Sequence, residues 1–438
     1  MSAFSSVVKY ELKPTAVNSR AYTSNINPSN GTSFTAGDVI RIDIPTGRRG
    51  TYLVNPMGYL QMTFNNNNGA GDGNLTPDDS GYGLIKKLEV YHGSNLLESV
   101  DSYNLLGTLL LDCQVAGNET QRTGTMTIGC GFSQASGSER KQANVDRLGT
   151  PVGEGASRQY NMPLFSGVIG GNLSKYLPLG ALSGGGDLRV EITLDSTANA
   201  CCREATKTGT EDYTITNVQY VASILELGAE AQDEVERENA GSYSMSTVSW
   251  RNYTANVDSA VGSASILVPA RFASVKSLYC VHRPSANINS RDVRSISDRS
   301  KANMSSYQFR IGSLSMPQQA VDCADPAGQV IQELMKSFHQ IGQTNAHTRL
   351  NETQFNNDAP TSDSGNTLDD EGSYAVGLDL ESFSHRSDVI DSGTDSQGQN
   401  IFFEPVYSAN TPAAQRVDSW AFYDLLLKVE DGIMSAHG

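Results

Sequence analysis

One unit of the chain occurs twice. The sequence predicts a strand, a tight turn, a second strand and a helix in residues 88–112, and the same order again in residues 307–341. Both turns begin with Gly-Ser, at Gly93 and Gly312, and both second strands end in Val-Asp. Gly312 follows Gly93 by 219 residues in a chain of 438. A chain made of two copies of one β-rich unit is typical of a structural building block more than of an enzyme.

Further segments alternate apolar and polar residues, as strands with one buried face do. They lie at 38–44, 59–64, 187–194, 213–227, 244–253, 264–268, 272–281, 374–381, 401–407 and 420–430. The pattern gives about seven or eight strands in each half, at spacings typical of a two-sheet sandwich. Long insertions between strands favour a jelly roll over an immunoglobulin-type domain. Apolar residues at helical spacing in 103–113 and 330–341 predict one short helix covering each sandwich.

The chain is too long for one ordinary hydrophobic core. Residues 226–239 are acidic and lack a wide apolar stripe, which predicts a solvated helix or linker between two domains. We therefore predict an N-terminal arm at 1–35, a first jelly roll at 36–240 and a second at 241–438. The last residues, 431–438, are predicted to fray.

Charge makes some partners improbable. The formal net charge is −16 and the isoelectric point is about 4.8, so the surface repels phosphate and direct binding of nucleic acid is not expected. The main basic stretch, 291–301, has two interpretations. It contacts an anionic partner, or it is a solvated loop that balances nearby acids, and we favour the second.

The six cysteines show no C-x-x-C and no metal-finger spacing, so we expect small buried side chains in a reducing compartment. The adjacent pair Cys201-Cys202 is interpreted as incidental rather than redox-active. Residues 1–20 contain no apolar signal-peptide core, and no apolar run approaches ~18 residues. We therefore expect synthesis in the cytosol, without secretion by a signal peptide and without a membrane span.

No motif for catalysis is present: the chain lacks G-x-S-x-G, a P-loop and H-E-x-x-H. His339 and His347 are eight residues apart, and the helical pattern is interrupted between them by Gly-Gln-Thr-Asn, so a shared metal ion is not expected. The loop that begins at Asp391 matches no complete calcium template, and adventitious cation binding is the less favoured alternative to solvated acids. No carboxylate pair stands out for glycoside hydrolysis. We predict a non-enzyme and assign no catalytic, cofactor-binding or metal-binding residue.

Several segments resemble the major capsid proteins of double jelly-roll viruses, and the pattern is most similar to virophage-like or polinton-like capsid proteins. These segments lie at 88–104, 162–165, 176–182, 187–192, 307–312 with Pro317, 377–381 and 418–427. They touch most of the chain between about residue 38 and residue 432. No single motif carries the resemblance, which rests on the order and the duplication of the segments.

The resemblance implies an all-β chain of two tandem eight-stranded jelly rolls, each with a short helix and long loops. It implies a homotrimer with a pseudo-hexagonal outline, a capsomer in the icosahedral shell of a double-stranded DNA virion. Its other partners would be neighbouring capsomers, penton proteins and minor capsid proteins, with an internal membrane left open. The long loops 65–83, 117–157 and 345–372 would then be towers or interlocking contacts, and the N-terminal arm would tie capsomers together.

A carbohydrate-binding or carbohydrate-active jelly-roll protein is the alternative hypothesis. Such proteins stack loop aromatics on sugars, but the only tryptophans, Trp250 and Trp420, both lie in strand-like segments. A vertex or spike protein of a similar virion is a third possibility. Two complete jelly rolls favour the facet role, since vertex proteins usually resemble one.

Overall fold

The fold is that of a computed structural model, which describes residues 18–55, 57–115, 124–130, 151–171, 173, 175–203, 207–239, 241–341, 348–350, 352–360, 372–382 and 392–438. The strands of the first half are β1 (Ser19–Ile26), β2 (Ser33–Thr35), β3 (Val39–Ile44), β4 (Thr51–Leu53), β5 (Tyr59–Asn65), β6 (Leu75–Pro77), β7 (Ile85–His92), β8 (Asn95–Asp101), β9 (Ser157–Met162), β10 (Leu188–Leu194), β11 (Cys201–Arg203) and β12 (Thr214–Leu227). Those of the second half are β13 (Tyr243–Val257), β14 (Ile266–Val268), β15 (Val275–Pro284), β16 (Met304–Ile311), β17 (Leu314–Asp322), β18 (Val376–Asp379), β19 (Ile401–Tyr407), β20 (Gln415–Glu430) and β21 (Ile433–His437). The helices are α1 (Tyr103–Gln114), α2 (Thr125–Thr127), α3 (Thr197–Ala200), α4 (Ala229–Asn239), α5 (Gly328–Ser337) and α6 (Glu352–Phe355), with 3-10 turns at Gly81–Leu84, Leu179–Ala181 and Ser285–Asn287.

The first half is a sandwich of two antiparallel sheets. One sheet has the order β1-β12-β5-β9, with β2 and β4 also paired to β12, and the other has the order β3-β10-β7-β8. A small separate ladder joins β6 to β11.

The second half repeats this topology. Its sheets have the orders β13-β20-β15-β18 and β14-β19-β16-β17, with β21 added to β20. When the eight principal strands of each half are ranked along the chain, both halves give the orders 1-8-3-6 and 2-7-4-5. The predicted fold class, all-β with two tandem eight-stranded jelly rolls, is confirmed.

Alternating side chains build the core of each jelly roll. In β3, Ile40 and Ile42 are buried and pair with Ile192 and Val190 of β10, while Arg41 between them is exposed. In the second half the ring centroids of Phe309 on β16 and Phe403 on β19 are 5.0 Å apart. The predicted helices are present as α1 and α5, and their apolar residues are buried against the sheets.

The duplicated turn has the same backbone conformation in both copies. Gly93 has φ of 58° and Gly312 has φ of 59°, in the left-handed region that side chains with a Cβ rarely adopt. A Cβ at Gly93 would also lie 2.6 Å from the carbonyl oxygen of Gly185. Glycine at this position is therefore required by the turn itself, which explains its presence in both copies.

Three predictions about chain segments are corrected. Residues 19–26 and 33–35 do not belong to an arm, because β1 and β2 pair with β12. Residues 433–437 do not fray, because β21 pairs with the end of β20. The predicted loop 65–83 contains β6 and a buried polar run at 78–80.

Other predictions about segments stay open. No strand of the described residues crosses between the sheets of the two halves, and the boundary at residue 241 stays a prediction. Residues 1–17, most of 117–157 and most of 345–372 lie outside the described residues, so the predicted arm and towers are untested there.

Candidate functional site

The two jelly rolls meet where β8 of the first approaches β13 of the second. Glu98 on β8 is buried in this contact, and one of its carboxylate oxygens accepts a hydrogen bond from the Ser249 hydroxyl of β13 at 2.5 Å. The same carboxylate accepts hydrogen bonds from the Ser166 hydroxyl and from the Gly167 amide, the latter at 2.8 Å. Burial raises the pKa of Glu98, and these hydrogen bonds oppose the rise.

A buried ion cluster forms a second part of this joint. Asp79 and Asp112 come from the first jelly roll, and Arg299 and Arg349 come from the second. All four side chains are 0% exposed. Arg349 donates to Asp79 at 2.5 Å and to Asp112 at 2.7 Å, and Arg299 donates to the other oxygen of Asp112. Burial by itself would lower the pKa of Arg349, but attraction to the two carboxylates raises it, so the guanidinium stays charged.

The stretch 291–301 belongs to this joint, and its interpretation as a solvated basic loop is wrong. Arg294, Arg299 and Lys301 are buried. Asp78 of the first jelly roll accepts hydrogen bonds from the amides of residues 296 and 297, at 2.7 and 3.2 Å. Asp78 and Asp112, the partners of its buried part, lie about two hundred residues earlier in the chain, so local sequence gave no sign of them.

The C-terminal hairpin clamps the duplicated turn of the first jelly roll. The amide of Met434 on β21 donates to Nδ1 of His92 at 3.0 Å, and its carbonyl accepts from the side chain of Asn95 at 3.2 Å. The amide of Gly184 donates to the carbonyl of Gly432 at 3.0 Å. Burial lowers the pKa of His92, which keeps the accepting nitrogen unprotonated.

A cleft of about 240 Å³ opens beside the connecting helix α4. Tyr52, Tyr176, Leu225, Val235 and Tyr243 contribute to its walls. The described residues that line it include no acid, histidine or cysteine, and most of its walls are aromatic or apolar.

The candidate metal and redox residues do not converge in the described part of the chain. There, no three His, Cys, Asp or Glu side chains are grouped so that they could hold a metal ion. His339 lies 3.3 Å from Glu381, whereas His347 and Asp391 fall outside the described residues. All six cysteines are buried, as predicted, and burial raises the pKa of Cys201, which keeps that thiol protonated. Of the helices in the described ranges, none combines the length and apolarity needed to cross a membrane.

The fold and the joint define a class of protein, the double jelly-roll proteins. The chain is similar in structure to the PBCV-1 virus capsid protein, with a TM-score of 0.61, 10% sequence identity, and coverage of 98% of this chain and 99% of that one. It is also similar to the Faustovirus major capsid protein (0.60, 10%, 98% and 93%) and to the mavirus major capsid protein (0.55, 10%, 99% and 93%).

Sequence comparison adds no relatives: no family model matches the chain, and no curated protein matches it. At 10% identity the structural likeness establishes the fold, and it covers both jelly rolls of each capsid protein.

Proposed function

We propose that this chain is the major capsid protein of an icosahedral double-stranded DNA virus. In this proposal three copies form a capsomer with a pseudo-hexagonal outline, and capsomers tile the shell of the virion. The observation that carries the proposal is the pair of jelly rolls with the same strand order. The structural likeness to three viral capsid proteins extends over nearly the full length of each of them.

The joint supports this role physically. Its buried ion cluster and the hydrogen bonds to Glu98 hold the two jelly rolls in one orientation, since charged groups this deeply buried tolerate few alternative geometries. A fixed pair of sandwiches presents two equal sides of a hexagon. A contact between unlike surfaces of three such chains closes into a ring.

The finer parts of the proposal concern partners and place. Neighbouring capsomers, penton proteins and minor capsid proteins would contact the outside of the trimer, and an internal membrane stays an open partner. The chain would be made in the cytosol and act in the virion, without enzymatic activity. Its acidic surface is consistent with a shell that encloses nucleic acid without gripping it.

Purified protein tests the proposal. Light scattering is expected to give the mass of three chains, and electron microscopy is expected to show particles with hexagonal outlines. A chain that stays monomeric at high concentration would contradict the proposal.

The carbohydrate-binding alternative is not favoured. Trp420 is completely buried and Trp250 nearly so, which leaves neither ring free to stack on a sugar. Retention on a polysaccharide array, lost when an exposed loop tyrosine such as Tyr176 is changed to alanine, would restore it.

A further inference from the structure

The joint within the chain uses one edge strand from each jelly roll. β8 is the edge of its sheet, β13 is the edge of its own, and the two are not hydrogen-bonded as a ladder. Their contact is made by side chains, such as Glu98 with Ser249 at 2.5 Å. Within β8, residues 97–100 are buried.

The duplication gives each jelly roll a second edge strand of the kind used in the joint. β17 holds the position of β8 in the second jelly roll, and β1 holds the position of β13 in the first. In β17, residues 318–320 are exposed, and so is Leu314, at 60%. In β1, residues 19–23 are all exposed, with the ring of Tyr22 among them. These two edges have the topology of the internal joint, and in the described part of the chain neither outer edge is hydrogen-bonded to a further strand.

The register shift that marks the pairing of β8 has a counterpart in β17. The ladder between β7 and β8 slips by one residue at Leu97, next to Glu98. The ladder between β16 and β17 also slips, slightly further from the turn, where residues 317–320 lie opposite Gln308 between the paired Met316 and Val321. Bulges re-aim side chains at the edges of sheets. The bulge that faces β13 in the first jelly roll thus has a longer, exposed counterpart in the second.

We propose that β17 of one copy packs against β1 of a second copy, as β8 packs against β13 within each chain. This inference rests on the proposed function, because a ring of three chains needs three such contacts to alternate with the three internal joints. The inserted residues 317–320 take the place of the buried part of β8. Leu314 and Tyr22 supply the exposed apolar side chains that such an interface covers.

Cysteine cross-linking tests the proposed contact. The double variant Thr23→Cys with Gln319→Cys, treated with a short bismaleimide, is expected to give covalently linked chains up to the trimer on a denaturing gel. The native cysteines add little background, since all six are buried. Either single variant is expected to give no linked chains, because the contact joins unlike edges.

A matched pair and a second measurement keep the result decisive. Thr23→Cys with Leu267→Cys uses another exposed position, on β14 at the opposite edge of the same sheet as β17, and is expected to stay unlinked. Ala320→Arg is expected to raise the concentration at which trimers dissociate at least tenfold, whereas Leu267→Arg is not. Trimers by light scattering without links in the first pair would overturn this contact and leave the proposed function standing. Monomers throughout would overturn both.

Discussion

Removal of one carboxylate from the buried ion cluster tests how firmly the two jelly rolls are joined. Asp79 and Arg349 are 2.5 Å apart and completely buried, and the cluster pairs two carboxylates with two guanidinium groups. Unit charges about 4 Å apart attract by about 4 kcal/mol at an effective dielectric constant of about 20. Asp79→Asn leaves a buried positive charge in excess, so we expect the free energy of unfolding to fall by about 3–5 kcal/mol.

The positions of the tryptophans make this effect measurable for each jelly roll. Trp250 and Trp420, the only two tryptophans, both belong to the second jelly roll, so their fluorescence follows that half alone. Circular dichroism follows both halves. In the original chain we expect the two denaturant transitions to coincide because the joint couples the halves. In Asp79→Asn we expect both midpoints to fall and the two transitions to separate.

Two further variants serve as controls. Arg41→Gln breaks the ion pair of Arg41 with Asp43 on the surface of β3, and surface pairs of this kind contribute little, so its transition should match that of the original chain. The double variant Asp79→Asn with Arg349→Met removes both charges, and it should be less destabilised than the sum of the single variants. If Asp79→Asn shifts the transitions no more than Arg41→Gln does, the cluster does not join the two halves.

Three other predictions concern single side chains. Folding raises the pKa of Glu98, so the folded chain binds a proton more tightly than the unfolded chain. The free energy of unfolding should therefore decrease as the pH rises from the unfolded-state pKa through the folded-state pKa. Glu98→Gln should flatten this dependence in denaturant titrations at several pH values, and an unchanged pH dependence would contradict the prediction. Phe403→Ala should lower the free energy of unfolding by about 3–5 kcal/mol in thermal or chemical unfolding, because it empties a core site. Val406→Ala, on the same strand but at a position 44% exposed, should lower it little. The six buried cysteines should react slowly with a thiol reagent in the native chain and completely in denaturant, and a rapidly reacting native thiol would argue against their burial; for Cys280, burial also raises the pKa to about 12.

The sequence predicted the parts of the fold that depend on neighbouring residues. Alternation located β3 and β10, and the Gly-Ser pairs located both duplicated turns because only glycine adopts their backbone conformation without strain. Helical spacing located α1 and α5 within a few residues of their ends. These features are local, so a single sequence carries them.

The joint was not predictable in the same way. The stretch 291–301 looked like a solvated basic loop, and the acids at 78–79 looked like part of a polar surface loop. Each of these segments would be solvated alone. Asp78 is buried against the amides of residues 296 and 297, whereas Asp79 and Arg299 are buried because Arg349 and Asp112 of the other jelly roll neutralise them. The strand β21 was missed for a related reason, since its short segment is ordered by β20 and by His92 of the other jelly roll.

The differences between the two copies are concentrated where their neighbours differ. Val100 and Val321, at equivalent places before the helices, are both completely buried, and Gly93 and Gly312 have almost the same φ. Between the turn and the valine, the second copy has two more residues than the first. The fold constrains both ends of this strand, while its middle faces a partner. In the first copy that partner is β13 of the same chain, so a different middle in the second copy indicates a different partner surface. Six identical single jelly rolls would have one kind of joint, whereas a fused pair permits two, and the extra residues lie where the second kind would form.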